Sequence, residues 1–243
     1  MAVGPLQWAL PHVKRPRIAV RARPGLIGTT PVTSDDPTQP TARSYRGQSL
    51  ADRRADRQAR FKAAGLELFG TLGFARVTIS ALCAEAGLSR RQFYEEYSGS
   101  EELLTEIYQG IQTTALERVS NAIADSDHTD VYGVAQNAMR AYLDAVAGDS
   151  RIVRCAFIEI GGISEAMESH RILSRDQWAR YMGTMIASLP GTTSKPIDYS
   201  ATAFIGSMTA VVHRWATADP QPDREMVVDL LADLLIRIAV DPD

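Results

Sequence analysis

Nine consecutive residues carry the side chains best suited to meeting a nucleic acid: Ser89-Arg90-Arg91-Gln92-Phe93-Tyr94-Glu95-Glu96-Tyr97. Two neighbouring guanidinium forks can each hold a phosphate, or two acceptors on a guanine edge, through parallel hydrogen bonds. A carboxamide and a phenol follow at once. The segment opens on Ser89, a good helix N-cap, with Gln92 at capping-box spacing. It reads as a short helix whose polar, partly cationic end suits a DNA groove. Gln92 has two uses open to it, capping Ser89 or reaching a base. Glu95 and Glu96 would stand near phosphates and weaken binding.

A helix this short needs bracing, and the preceding residues supply it. Thr78 is an N-cap candidate for a helix carrying Ile79, Leu82 and Ala86, and Gly87 ends it with a permissive backbone. Gly87-Leu88-Ser89 then reverses the chain within three residues. Upstream, Ala55, Ala59, Ala63, Leu66 and Phe69 recur at steps of three and four, which predicts an amphipathic helix stopped by Gly73. Arg53, Arg54, Arg57 and Arg60 lie off that stripe. A fourth helix is expected from Ser98–Ser100, with Leu104, Ile107, Ile111, Leu116, Val119 and Ile123 as its apolar line. Two short helices joined in this way make a helix-turn-helix, in which the first braces and the second enters the major groove.

The series Ala63-Ala64, Leu68-Phe69, Gly73-Phe74, Thr78-Ile79, Leu82-Cys83, Ala86-Gly87-Leu88-Ser89, Phe93-Tyr94, Tyr97, Glu101 and Leu103-Leu104 resembles the TetR family of transcriptional regulators over residues 55–106. The resemblance implies an all-α homodimer with a three-helix DNA-reading module and a larger C-terminal bundle. It places Thr78 and Tyr94 at phosphates and Arg90, Arg91 and Gln92 at base edges. Ser89, at the start of the same helix, is also expected at the DNA, and so is Arg57, which with Arg53 and Arg54 either clamps the adjacent minor groove or backbone or forms a solvated face. Two positions depart from the family pattern. Ser100 stands where a Lys is usual, and Glu96 where His is frequent.

Further helices are expected at about 129–147, 150–163, 171–189, 198–218 and 223–240. No alternating apolar pattern brackets a tight turn, so strands are not expected. The last helix carries Val227, Leu230, Leu231, Leu234, Leu235 and Ile238, and the one before it Phe204, Met208, Val211 and Trp215. Faces this wide suggest burial against a core and a partner, so Phe204, Met208, Val211, Trp215, Leu231, Leu234 and Leu235 are the expected dimer residues. Burial inside the chain's own core is the other option. Between these helices and the reading module, Met139, Tyr142, Phe157, Trp178 and Met182 suit an adaptable cavity for a mostly apolar small-molecule effector. Arg140, Arg154, Glu159 and His170 are the nearby polar candidates.

Charge is unevenly spread. Residues 1–50 carry seven Lys/Arg against two Asp, residues 51–100 eight against six, and residues 101–243 eleven against twenty-one Asp/Glu. A basic front and an acidic back fit contact with double-stranded DNA at one end only. Residues 1–50 also hold seven of the twelve prolines and are expected to be a disordered extension, with Lys14 to Arg23 adding loose phosphate contacts or none. The expected domains are therefore 1–50, 51–100 and 101–243. Cys83 and Cys155 sit in apolar helical contexts, and no apolar run nears the roughly 18 residues of a membrane span. A cytoplasmic protein is expected. The dispersed His12, His128, His170 and His213 form no metal or catalytic signature, so no catalytic residue, metal or cofactor is assigned. A helical enzyme or a small-molecule-binding protein without specific DNA binding is the alternative.

Overall fold

In a computed structural model, residues 49–187 and 196–239 are described. They form helices α1 (Leu50–Leu72), α2 (Ile79–Ala86), α3 (Arg90–Glu96), α4 (Ser100–Ala124), α5 (Val131–Val146), α6 (Ser150–Val153), α7 (Glu165–Ala187), α8 (Ile197–Ala216) and α9 (Arg224–Ala239). No strand occurs among the described residues, so the fold is all-α as expected. The expectations for residues 1–48 lie outside the described residues.

α1 starts on a capping box between Ser49 and Asp52 and ends at Gly73. Its buried face differs from the alanine stripe. Ala55, Ala59 and Ala63 are exposed, while Phe61, Ala64, Gly65 and Phe69 are buried. The two phenylalanines, eight residues apart, set the helix rotation because each buries far more apolar area than an alanine. Phe61 meets Phe93 edge to face at 5.2 Å and Tyr97 at 6.0 Å, which fastens α3 onto α1.

Thr78 caps α2 by accepting from the Ala81 amide at 3.2 Å. Gly87 ends the helix in the left-handed region, φ 61°, where the Leu88 amide reaches back to the Cys83 carbonyl at 2.9 Å. Arg60 on α1 covers the carbonyls still free there, donating to Ala86 at 2.6 and 3.0 Å and to Gly87 at 3.0 Å. The turn before α3 is thus held from the first helix by a side chain outside its apolar face.

α4 runs from the end of the reading module into the bundle and packs on α1, α5 and α7. α7 and α8 pair, and α9 closes against α5 and α8. One core runs from Phe61 to Ala239, and the described residues form a single unit. α7 begins at Glu165, earlier than expected, because the Ser164 hydroxyl accepts from the Met167 amide and donates to Glu101 at the start of α4. α6 passes into a single π turn, Arg154–Ile158, closed by the Glu159 amide on the Arg154 carbonyl at 2.8 Å. Among the described residues no helix is long and apolar enough to cross a membrane. Both cysteines are free and buried, and burial pushes the Cys155 thiol up to about 12.

Candidate nucleic-acid interface and bundle cavity

α3 turns Phe93 and Tyr97 inward, which leaves Arg90, Arg91, Tyr94 and Glu95 on the outer face. The alternation is that of a helix with one buried edge. Tyr94 is 53% exposed, enough for its phenol to meet a partner. Arg91 pairs with Glu95 one turn on at 3.1 Å, but its side chain remains 90% exposed. Among the described residues Arg90 makes no ion pair, so it is the outer cation whose charge is not already shared. Ser89 and Gln92 form the complete capping box. The Gln92 carbonyl oxygen accepts from the Ser89 amide and hydroxyl at 2.9 and 3.0 Å, and Ser89 Oγ accepts from the Gln92 amide at 3.2 Å. In this arrangement Gln92 presents its Nε2 edge but not its oxygen.

Glu96 is placed differently from the sequence expectation. Its side chain is 1% exposed and faces α1, not outward. It accepts from Arg57 at 2.5 and 3.0 Å, from Arg54 at 2.9 Å and from Gln58 at 3.1 Å. Burial alone would raise the Glu96 pKa. Hydrogen bonds from Arg57 and Arg54 outweigh it and hold the carboxyl below the usual range. Arg57, expected at the DNA, has its guanidinium turned onto this carboxylate. The cause is non-local, since 39 residues separate the two. Only the folded crossing of α1 and α3 brings them together.

The joint between reading module and bundle is equally specific. Arg151 bridges Glu67 on α1 at 2.5 Å and Asp149 at 2.6 Å. At Gly70 the two elements nearly touch: a Cβ there would stand 2.7 Å from the Arg151 Cα. Arg154, from the π turn, donates to the Thr71 carbonyl at 2.8 Å and to Glu159 at 2.7 Å. Glu159 in turn accepts from the Phe74 amide at 2.7 Å. The C-terminal end of α1 is therefore gripped by the π turn.

A cavity of about 290 Å³ lies between α4, α5, the π turn, α7 and α8. Tyr142, Phe157 and Trp178 line it, whereas Met139 and Met182 are buried in the surrounding core. Tyr142 meets Trp178 edge to face at 5.4 Å, and Trp178 donates to Gln112 at 2.9 Å. Phe157 stacks on His213 at 6.4 Å. None of the four polar candidates lines the cavity. Arg140 pairs with Glu225 at 2.8 Å, His170 meets Gln109 at 3.2 Å, and Arg154 and Glu159 serve the joint. The polar lining comes instead from Gln112, Arg171, Ser174, Arg175, Thr209 and His213. Sequence held a signal for the arginines, since Arg171, Arg175 and Trp178 fall at i, i+4 and i+7 on one helix face.

Most residues expected at a dimer contact are buried within the single chain: Phe204, Met208, Trp215, Leu231 and Leu235. Val211 and Leu234 are half-buried. The exposed large apolar residues on these helices are Tyr199, Met226 and Leu230. Among the described residues no cluster of three His, Cys, Asp or Glu converges as a metal site.

Residues 63–107 match the model of the bacterial regulatory proteins of the tetR family. No curated protein matches the chain in sequence. Among solved structures, the fatty acid degradation regulator FadR from Bacillus halodurans is 12% identical with a TM-score of 0.66, covering 74% of this chain and 95% of its own. A tetR-family regulatory protein from Rhodococcus RHA1 is 21% identical with a TM-score of 0.56, covering 77% and 98%. The transcriptional regulator FadR from Bacillus subtilis, solved with stearoyl-CoA, is 14% identical with a TM-score of 0.64, covering 74% and 97%. At these identities the likeness is one of fold. Residues 63–107, from the middle of α1 into α4, thus carry the helix-turn-helix segment of the tetR-family DNA-binding regulators, set in an all-α fold like theirs.

Proposed function

We propose that the chain is a ligand-responsive repressor that binds a pseudo-palindromic operator as a homodimer. Residues 51–100 are the reading head, and residues 101–243 hold the effector and the dimer contact. Thr78, Ser89, Arg90, Arg91, Gln92 and Tyr94 meet the DNA, with Arg90 the main source of local attraction. Arg57 works one step back, by fixing the orientation of α3 through Glu96. A single head whose short recognition helix carries one unshared outer cation binds weakly. Two heads held about one helical turn apart, roughly 34–36 Å, restore affinity and impose the two-fold symmetry of the site. Such a protein acts in the cytoplasm and needs no catalytic group.

The observation that carries the ligand-responsive reading is the π turn. Phe157, in the middle of it, forms part of the cavity wall, and Arg154 at its start holds the end of α1. A molecule that prefers one setting of this turn biases the setting of the head, by no more than its difference in affinity for the two. The FadR relative from Bacillus subtilis binds stearoyl-CoA. A small-molecule effector in the same bundle region is in keeping with that. The dimer face is assigned to the outer sides of α8 and α9, where Met226, Leu230 and Leu234 follow at successive turns.

The test is binding of the full chain to a palindromic fragment from its own promoter region, against scrambled DNA, over a series of salt concentrations. A steeper preference for the palindrome, lost at high salt for both, is expected. Equal binding to the two fragments sinks the reading.

A further inference from the structure

We propose that the bundle cavity selects an aromatic acid, a flat apolar body of one or two rings bearing one carboxylate held by Arg171 and Arg175. This inference rests on reading the cavity as the effector site and replaces a merely apolar ligand by an anionic one.

Size comes first. The cavity of about 290 Å³ is nearly twice the roughly 150 Å³ that holds a benzene ring. Its walls are flat-sided: Trp178 stands edge-on to Tyr142, and Phe157 lies parallel to the His213 ring within 17°. Rings pack against such walls with both faces and edges satisfied.

Charge decides the rest. Arg171, Arg175 and His213 line the cavity, and no Asp or Glu does. Among the described residues Glu168 is the one carboxylate paired with the two arginines, at 2.6 Å from Arg171 and 3.5 Å from Arg175. A single acid shared between two guanidiniums leaves a positive charge unmatched where the apolar slot begins. Arg171 is half-buried and Arg175 is exposed on one side only, with side chains 31% and 45% exposed. Their forks are therefore better shielded than on an open surface, and they suit a planar carboxylate. Ser174, between them, is engaged by the Tyr108 phenol. Tyr142, 3% exposed, also lines the cavity. It offers a second polar anchor for a hydroxyl or carbonyl on the far ring. A cationic ligand meets the same arginines as repulsion.

Calorimetric titration of the full chain with naphthoate, naphthalene carboxamide and naphthylmethylamine tests this. Naphthoate should bind at least about tenfold more tightly than the amide, the worth of one charge-assisted hydrogen bond, and the amine should bind least. The Arg171→Gln, Arg175→Gln double variant should erase the preference for naphthoate over the amide. Glu168→Gln removes the competing acid and leaves both arginines in place, so it should tighten naphthoate severalfold; this variant carries the test if the double variant fails to fold. Amide binding as tight as naphthoate in the wild type, or unchanged naphthoate binding in Glu168→Gln, overturns the anionic class while leaving the effector cavity standing. Binding of none of the three probes overturns the cavity reading itself, and this inference with it.

Discussion

Replacing Glu96 with alanine separates two accounts of the same residue. If Glu96 faced the DNA as an acidic neighbour of phosphate, its removal would strengthen DNA binding and leave the fold untouched. The structure requires the opposite. The carboxylate is 1% exposed and accepts four hydrogen bonds from Arg54, Arg57 and Gln58. Loss of one partner from a buried ion pair costs about 3–5 kcal/mol. Arg54 is 62% exposed and can turn to water, so its share is small. Arg57, 24% exposed and bound through two nitrogens, carries most of the loss. The expected cost is about 2–4 kcal/mol for Glu96→Ala and about half that for Glu96→Gln, which keeps an acceptor. Urea denaturation followed by circular dichroism measures both. The pH dependence has a definite sign. Because the folded-state pKa is lowered, the stabilisation is present above the unfolded value of about 4.3 and is lost as pH falls through the folded one. Glu96→Gln should flatten that acid limb. A Glu96→Ala protein as stable as wild type that binds DNA more tightly would refute the reasoning.

Other outcomes follow from the same geometry. Arg90→Ala should reduce the preference for operator over scrambled DNA by about 1–3 kcal/mol if its fork reads a base, and an unchanged ratio in gel-shift titrations counts against that role. Glu95→Gln releases Arg91 and removes an outward acid, so binding to any duplex should rise by about twofold to fivefold at low salt, and a fall would contradict it. Gly70→Ala should destabilise by about 1–3 kcal/mol, although alanine is the better helix former; thermal melting that shows a gain instead would mean that α1 and α6 can part freely. Leu230→Glu, on an exposed position, should leave the melting of the chain nearly unchanged and convert the proposed dimer to monomer in light scattering at micromolar concentration. A variant that stays dimeric moves the contact elsewhere.

How much of this was legible in the chain differs by element. Thr78, Gly87 and Ser89 could be read correctly because caps and left-handed turns are local, and a few neighbouring residues decide them. The rotation of α1 could not be read from its alanines, because the partners that matter, Phe93 and Tyr97, lie more than thirty residues away. The place of Glu96 is hidden for the same reason: an acid at a position that faces outward in the sequence pattern is pulled inward by cations on another helix. The cavity was legible in its aromatics and not in its polar groups. Arg140 and Arg154 sit close in sequence to lining residues, but their helix phase points them at α9 and α1. On the last two helices the apolar residues counted toward a partner are mostly core, because a helix wedged between neighbours needs a wide apolar face before any second chain arrives.

The grip on α1 has a mechanical consequence. Arg57 stands thirteen residues before Gly70 on the same helix, a distance of about 20 Å at 1.5 Å per residue. With Gly70 as fulcrum, a tilt of only about 5° at the bundle end swings the Arg57 end by roughly 1.7 Å, more than half the length of a hydrogen bond to a base. Arg57 and Arg54 are bolted to Glu96, so the far end of this lever is α3 itself. A displacement too small to disturb packing around the π turn is thereby enlarged to the scale on which base contacts are made or missed.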